Sequence, residues 1–207
     1  MLIYLTKTIN QNIHLMKKLS SVLMIALAAC ALQACQGPKD SKGAADSANA
    51  VKDTTTSGLT GIAVDKDDAK FAVDAANGGM TEIALSKTAQ AQSTNNKIKD
   101  FAAMMVTDHS KAGDELAAIA KTKNITLPDS VSADSKKAID EMAMKSGSAF
   151  NKAYVDKMLA DHKATVSMFE DASGKLKDPA LKAFVDKTLP TIKSHLAAIT
   201  AMHDAMK

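Results

Sequence analysis

From Asp65 onward the apolar residues return at gaps of three and four, the spacing that puts side chains on one face of an α-helix. The clearest stripe is Ile98, Phe101, Ala102, Met105, His109, Ala112, Leu116 and Ile119. A second is Phe150, Tyr154, Met158, His162, Thr165, Phe169 and Ala172. A third is Leu181, Phe184, Val185, Thr188, Ile192, His195, Ile199, Met202 and Met206. The first helical stretch has a face of small residues, Ala72, Ala75, Ala76, Gly79, Ile83, Ser86 and Gln90, with Glu82 at its edge. Three histidines therefore share the phase of the core residues around them.

Punctuation between the stripes sets the elements. Asp65 is placed to cap the first helix, with Asp68 in its opening turn, and Ser93 or Thr94 opens the second. Asn124 to Pro128 breaks the pattern. Val131 to Lys145 reads as a shorter helix with Ala138, Ile139 and Met142 inward, ended by Ser146-Gly147. Ser173-Gly174 closes the third long helix, and Asp178-Pro179 opens the last as cap and first-turn proline. Pro190 inside that helix predicts a kink. Gly78-Gly79 costs about 1 kcal/mol per glycine relative to alanine, which points to a closely approaching neighbour or a local kink. Four long helices with a short one between the second and third predict an all-α, ferritin-like four-helix bundle over residues 65–207.

The chain before that domain has a different texture. Met16-Lys17-Lys18 is a basic start, Leu19 to Ala31 a short apolar run, and Leu32-Gln33-Ala34-Cys35 resembles a bacterial lipoprotein signal. Residues 1–35 are therefore read as a signal peptide, with 16–34 its working core and Cys35 lipidated. Leu27-Ala28-Ala29-Cys30 is a competing cleavage box, an uncleaved anchor is the alternative, and Met1 or Met16 is the start. Gln36, not Asp, follows Cys35, which favours the outer membrane in enterobacterial-type sorting. Residues 36–64, rich in Ser, Thr, Asp, Lys, Ala and Gly, read as a flexible tether.

Composition narrows the function. Hydrophobic residues are 46% of the chain and aromatics 3%, so Ala and Met fill much of the core, as in close-packed helices. The net charge of +3 comes from Lys7, Lys17 and Lys18, and the chain after Cys35 is neutral. With no arginine and no net positive charge in the domain, nucleic acid is excluded as the expected partner. Both cysteines, Cys30 and Cys35, lie in the leader, which leaves the domain no disulfide and no thiolate ligand. The partner implied by the leader is a membrane, and the place is the cell envelope outside the cytoplasm.

Chemistry concentrates in one repeated phrase. Met104-Met105-Val106-Thr107-Asp108-His109 is echoed by Lys157-Met158-Leu159-Ala160-Asp161-His162, either through an old duplication of a hairpin or by coincidence. His109, His162 and His195, with Glu82 as a fourth ligand, form a candidate site for one transition-metal ion: iron, zinc, copper or manganese. Asp108 and Asp161 are candidate partners that orient the rings, each better placed for a histidine on a neighbouring helix than for the one beside it. The bland alternative is a polar network that braces the core, and a small-molecule or peptide site is a third reading. Val106, Leu159 and Ile192 stand three residues before the histidines, so the Glu-x-x-His pairs of di-iron bundles are missing. Glu170 and His203 read as surface groups. The many methionines fit core filling better than copper binding. No phosphate loop, nucleophile elbow or His-Glu-x-x-His motif is present, so no catalytic residue is singled out and an enzyme is not favoured.

The runs Phe71–Ile83, Phe101–Lys111, Asp161–Glu170 and Thr188–Leu196, in this order, resemble a bacterial domain-of-unknown-function family, DUF4142, whose members are described as exported or outer-membrane proteins. The resemblance spans about residues 67–206. It implies a ferritin-like helical fold and no assigned reaction.

Overall fold

The computed structural model describes residues 40–54 and 64–207. The leader with Cys30 and Cys35, and residues 36–39 and 55–63 of the expected tether, lie outside the described residues. Among the described residues there are six helices: α1 (Ser41–Thr54), α2 (Lys66–Gln92), α3 (Asn96–Thr122), α4 (Ala133–Ala143), α5 (Gly147–Lys175) and α6 (Pro179–Asp204). There is no strand among the described residues.

In four of these helices a polar side chain takes free amides of the first turn, while Ser146 before α5 makes no such bond. Asp65 accepts from Asp67 N, Asn95 from Lys97 N, Ser132 from Ser135 N, and Asp178 from both Ala180 N and Leu181 N. The cap of α3 is Asn95, one residue past the expected Thr94. Ser93 instead turns its backbone N–H onto Ala89 O and ends α2. The fifth helix runs through Ser173-Gly174 to Lys175, and α6 is continuous through Pro190.

The helices form two antiparallel hairpins, α2–α3 and α5–α6. Contacts between their ends fix how the hairpins meet. Ser93 Oγ at the end of α2 donates to Asn151 Oδ1 at the start of α5 (2.8 Å). At the opposite end, Asp68 is buried and accepts from Lys177 N (3.1 Å) and Asp178 N (2.7 Å). Lys123 after α3 pairs with Asp178 before α6 (2.6 Å). So α2 lies antiparallel to α5, and α3 antiparallel to α6. The connection from Lys123 to Ser146 runs the length of the bundle and carries α4 along α2 and α5. This is the ferritin-like four-helix bundle with one long crossover.

Two expectations change. The expected flexible tether over 36–64 is in part a packed helix, because Ser41–Thr54 is helical and lies on α2. Ala45 is buried there, and Lys42 pairs with Asp74 (2.8 Å). Asn49 exchanges two hydrogen bonds with the Thr126 backbone (2.9 and 2.8 Å), and Ser41 Oγ donates to Asp129 Oδ1 (2.6 Å). Polar pairs and alanines hold α1, so a test for large apolar residues passes over it. The buried face of α2 is also turned from the expected one. It runs through Ala69, Ala72, Val73, Glu82, Leu85, Ser86 and Ala89, because α1, α3, α4 and α5 surround this helix on several sides.

The core is in two parts. One, near the α5–α6 turn, includes Phe71, Leu116, Phe169, Phe184 and Val185, with Phe71 edge-on to Phe169 (5.2 Å between centroids). The other includes Leu85, Ile98, Met105, Phe150, Tyr154, Met158 and Ile199, with Ser86 Oγ and Tyr154 Oη 2.9 Å apart. Glu82, His109, His162 and His195 occupy the layer between them. Among the described residues no helix is long and apolar enough to cross a membrane.

Candidate metal centre

Each of the four bundle helices sends one polar residue into the middle layer: Glu82 from α2, His109 from α3, His162 from α5 and His195 from α6. His162 is 0% exposed, His195 2% and Glu82 3%, and the His109 side chain is 10% exposed. The ring centroids make a nearly equilateral triangle, 5.9 Å for His109–His162, 5.5 Å for His109–His195 and 5.7 Å for His162–His195. One nitrogen from each ring lies within 4.8 Å of the other two. Phe101 meets His162 and His195 edge-on at 6.3 and 6.5 Å and closes the layer on one side.

The outer contacts decide which nitrogen of each ring keeps its lone pair. A carbonyl can only accept, so His162 Nδ1–H donates to Met158 O (2.8 Å) and Nε2 is the basic nitrogen. His195 Nε2–H donates to Asp108 Oδ2 (2.9 Å), which leaves Nδ1 basic. His109 Nδ1 stands 3.2 Å from Glu82 Oε2, and Nε2 becomes the basic nitrogen of this ring once that carboxyl gives up its proton. The nitrogens left over, His109 Nε2, His162 Nε2 and His195 Nδ1, are buried and have no hydrogen-bond partner. A metal-binding histidine has this arrangement: one nitrogen held by an outer acceptor, the other free to bind.

Glu82 is more deeply placed than an edge residue. It lies against Nδ1 of His109 and, through Oε1 at 3.5 Å, against Nδ1 of His162. It stands outside the set of mutually close ligand atoms and holds the backs of two rings. Burial pushes its carboxyl up to about 8, with Asp161 adding to the rise and Lys157 opposing it. Burial also pushes His109 down to about 3, helped by the nearby His195 and His162, and lowers His162. The layer thus disfavours positive imidazolium at His109 and His162 and keeps those two rings neutral, the form that binds a cation.

The two aspartates of the repeated phrase have different fates. Asp108 reaches across from α3 to His195 on α6, the neighbouring-helix geometry expected of it. Asp161 pairs with Lys157 on its own helix (2.6 Å). Glu170 is exposed and paired with Lys193 (2.7 Å), and His203 sits near Asp156 and Asp204 at 3.6 and 3.4 Å, away from the layer. Met105, Met142 and Met158 are buried in the core, while Met144 is exposed.

A cavity of about 390 Å³ adjoins the layer on the Phe169–Phe184 side. Glu82, His109 and His195 line one end, and Leu116, Phe169, Phe184 and Ile192 line much of the rest. Gly78 and Gly79 form part of its wall, and a Cβ there would meet nothing nearer than His109 Nδ1 at 4.0 Å from Gly79. The glycine pair thus borders open space; a closely approaching neighbour is not what it accommodates. Periodicity along single helices carried no signal for this space or for the Met158 carbonyl that fixes His162.

The family model described as "Domain of unknown function (DUF4142)" matches residues 53–202. Among curated proteins none matches the chain. A solved structure of a DUF305 fragment from Deinococcus radiodurans is similar at a TM-score of 0.62 and 9% identity, covering 69% of this chain and 98% of that one. At that identity the likeness concerns the fold alone.

Proposed function

We propose that this chain, which belongs to the DUF4142 family, is a binding protein that holds one transition-metal ion through His109, His162 and His195. The observation that carries the reading is the trio of buried, unpartnered ring nitrogens drawn from three helices. Each such atom costs about 1–3 kcal/mol when left unsatisfied in an interior. A network that served only to brace the core would pair them with one another or with the backbone. Ligand bonds of about 2.0–2.1 Å place the nitrogens of a tetrahedral shell ~3.4 Å apart, so an ion would draw the rings in by roughly an ångström. Three neutral imidazoles suit zinc, copper or iron better than manganese, which favours oxygen donors. Glu82 and Asp108 serve as outer carboxylates that orient the rings.

The test is metal content. The full chain, loaded with zinc, copper or iron and desalted, should retain about one equivalent per chain. A variant with all three histidines changed to alanine should retain none. Equal retention by parent and variant would end the proposal.

The leader supports a second part of the reading, a lipoprotein held in the cell envelope through Cys35. Cys35→Ala should abolish incorporation of labelled palmitate in a bacterial host, and Cys30→Ala should not. The reverse pattern would move the anchor to Cys30.

A further inference from the structure

We infer that the cavity beside the histidine layer is a chamber for a small amphiphile, whose anionic head completes the coordination of the metal and whose apolar tail lies among Leu116, Phe169, Phe184 and Ile192. This rests on the metal reading above.

Three independent observations support it. First, the chamber is two-faced. His109, His195 and Glu82 stand at one end, with His109 Nε2, His195 Nδ1 and Glu82 Oε1 all buried and unpartnered. The rest of the wall is mainly apolar, relieved by the hydroxyls of Ser110, Thr165, Thr188 and Thr191 and by the carboxylates of Asp108 and Asp114 at its side. Second, its volume of about 390 Å³ lies within the roughly 300–1,000 Å³ common for small-molecule sites. Third, the wall uses residues that helix stability disfavours and packing does not require. A Cβ at Gly78 or Gly113 would meet nothing within 4 Å, yet each glycine sits inside a helix.

Coordination arithmetic supplies the head group. Three protein nitrogens make up three corners of a tetrahedral shell, and the fourth falls to a donor from outside. A carboxylate head supplies an oxygen donor of the kind that Asp and Glu provide in zinc sites. The apolar wall then selects for what trails behind that head.

The test uses the full chain loaded with cobalt(II), whose visible bands report its ligands. Acetate, butanoate, hexanoate and octanoate are titrated in turn, and bound cobalt is measured in parallel. Affinity should rise by about fourfold per methylene until the tail fills the chamber. Gly78→Leu and, separately, Ala112→Leu place bulk in the chamber and should flatten that rise. Bound cobalt with the same affinity for all four acids would overturn the inference and leave the metal reading standing. A rise that both filled variants retain would also overturn it, since the tail would then lie elsewhere. Absence of bound cobalt would overturn the metal reading and this inference with it.

Discussion

A neutral imidazole between two apolar clusters has two nitrogens to satisfy, and the surroundings of this chain satisfy one on each ring. Met158 O, Asp108 and Glu82 take the outer nitrogens of His162, His195 and His109. If those contacts orient rings for an ion, removing one should weaken binding without removing a ligand. Asp108→Ala is expected to lower metal affinity by roughly 10–100-fold, while Asp161→Ala, whose carboxylate pairs with Lys157, should leave it nearly unchanged. Equal effects from both, read by competition against a chelator of known strength, would contradict the assignment. Titration of the metal-free protein gives a second handle. Glu82 has its pKa raised from 4.5 to about 8, so its contribution to stability is full below 4.5 and is lost as pH rises to about 8. His109, lowered from 6.5 to about 3, contributes fully above 6.5 and loses that as pH falls. Between pH 6.5 and 8 the carboxyl acts alone of these two, and EDTA-treated protein should lose on the order of 2 kcal/mol there. Denaturant midpoints of Glu82→Gln should be flat over the same window, and a parallel decline would show that another group titrates. The inward phase of the histidines was legible in the sequence because three- and four-residue gaps report it directly. The depth of Glu82 was not, because it depends on which helices surround α2.

At the scale of elements, four stripes and their caps were legible because helix period and first-turn chemistry are local. Asp65 and Asp178 cap as expected, and the faces of α3, α5 and α6 hold the residues read for them except Met206, which lies past the end of α6 and is exposed. What local pattern misses is a helix with little apolar area. Ser41–Thr54 offers alanines, one valine and polar groups, and its fixation comes from partners far along the chain, near residues 124–130. The glycine pair shows the same division. Its cost was visible in the sequence, whereas its cause, an adjoining cavity, exists only once four helices are assembled. Because Gly78 has room for a methyl group, Gly78→Ala should stabilise the fold by about 1 kcal/mol, raising the melting temperature by about 3 °C. A fall in melting temperature by calorimetry would mean that the backbone there needs glycine for packing.

At the scale of the whole molecule, the bundle resembles a fragment that shares 9% of its residues, so the architecture tolerates wide changes in content. Fold alone therefore says little about task, and the middle layer is where this chain's own chemistry lies. The family match begins at residue 53, inside α1, whereas the helix begins at Ser41. Through Asn49 and Ser41 that helix grips the crossover at Thr126 and Asp129, on either side of Leu127 and Pro128, which line the cavity. A protein trimmed to the matched boundaries would keep the three histidines of the layer and lose the strut that steadies the rim of the chamber. Amide exchange at Thr126 and Asp129 would quicken in such a trimmed chain, and ligand measurements made on it would describe a looser vessel than the one the cell makes.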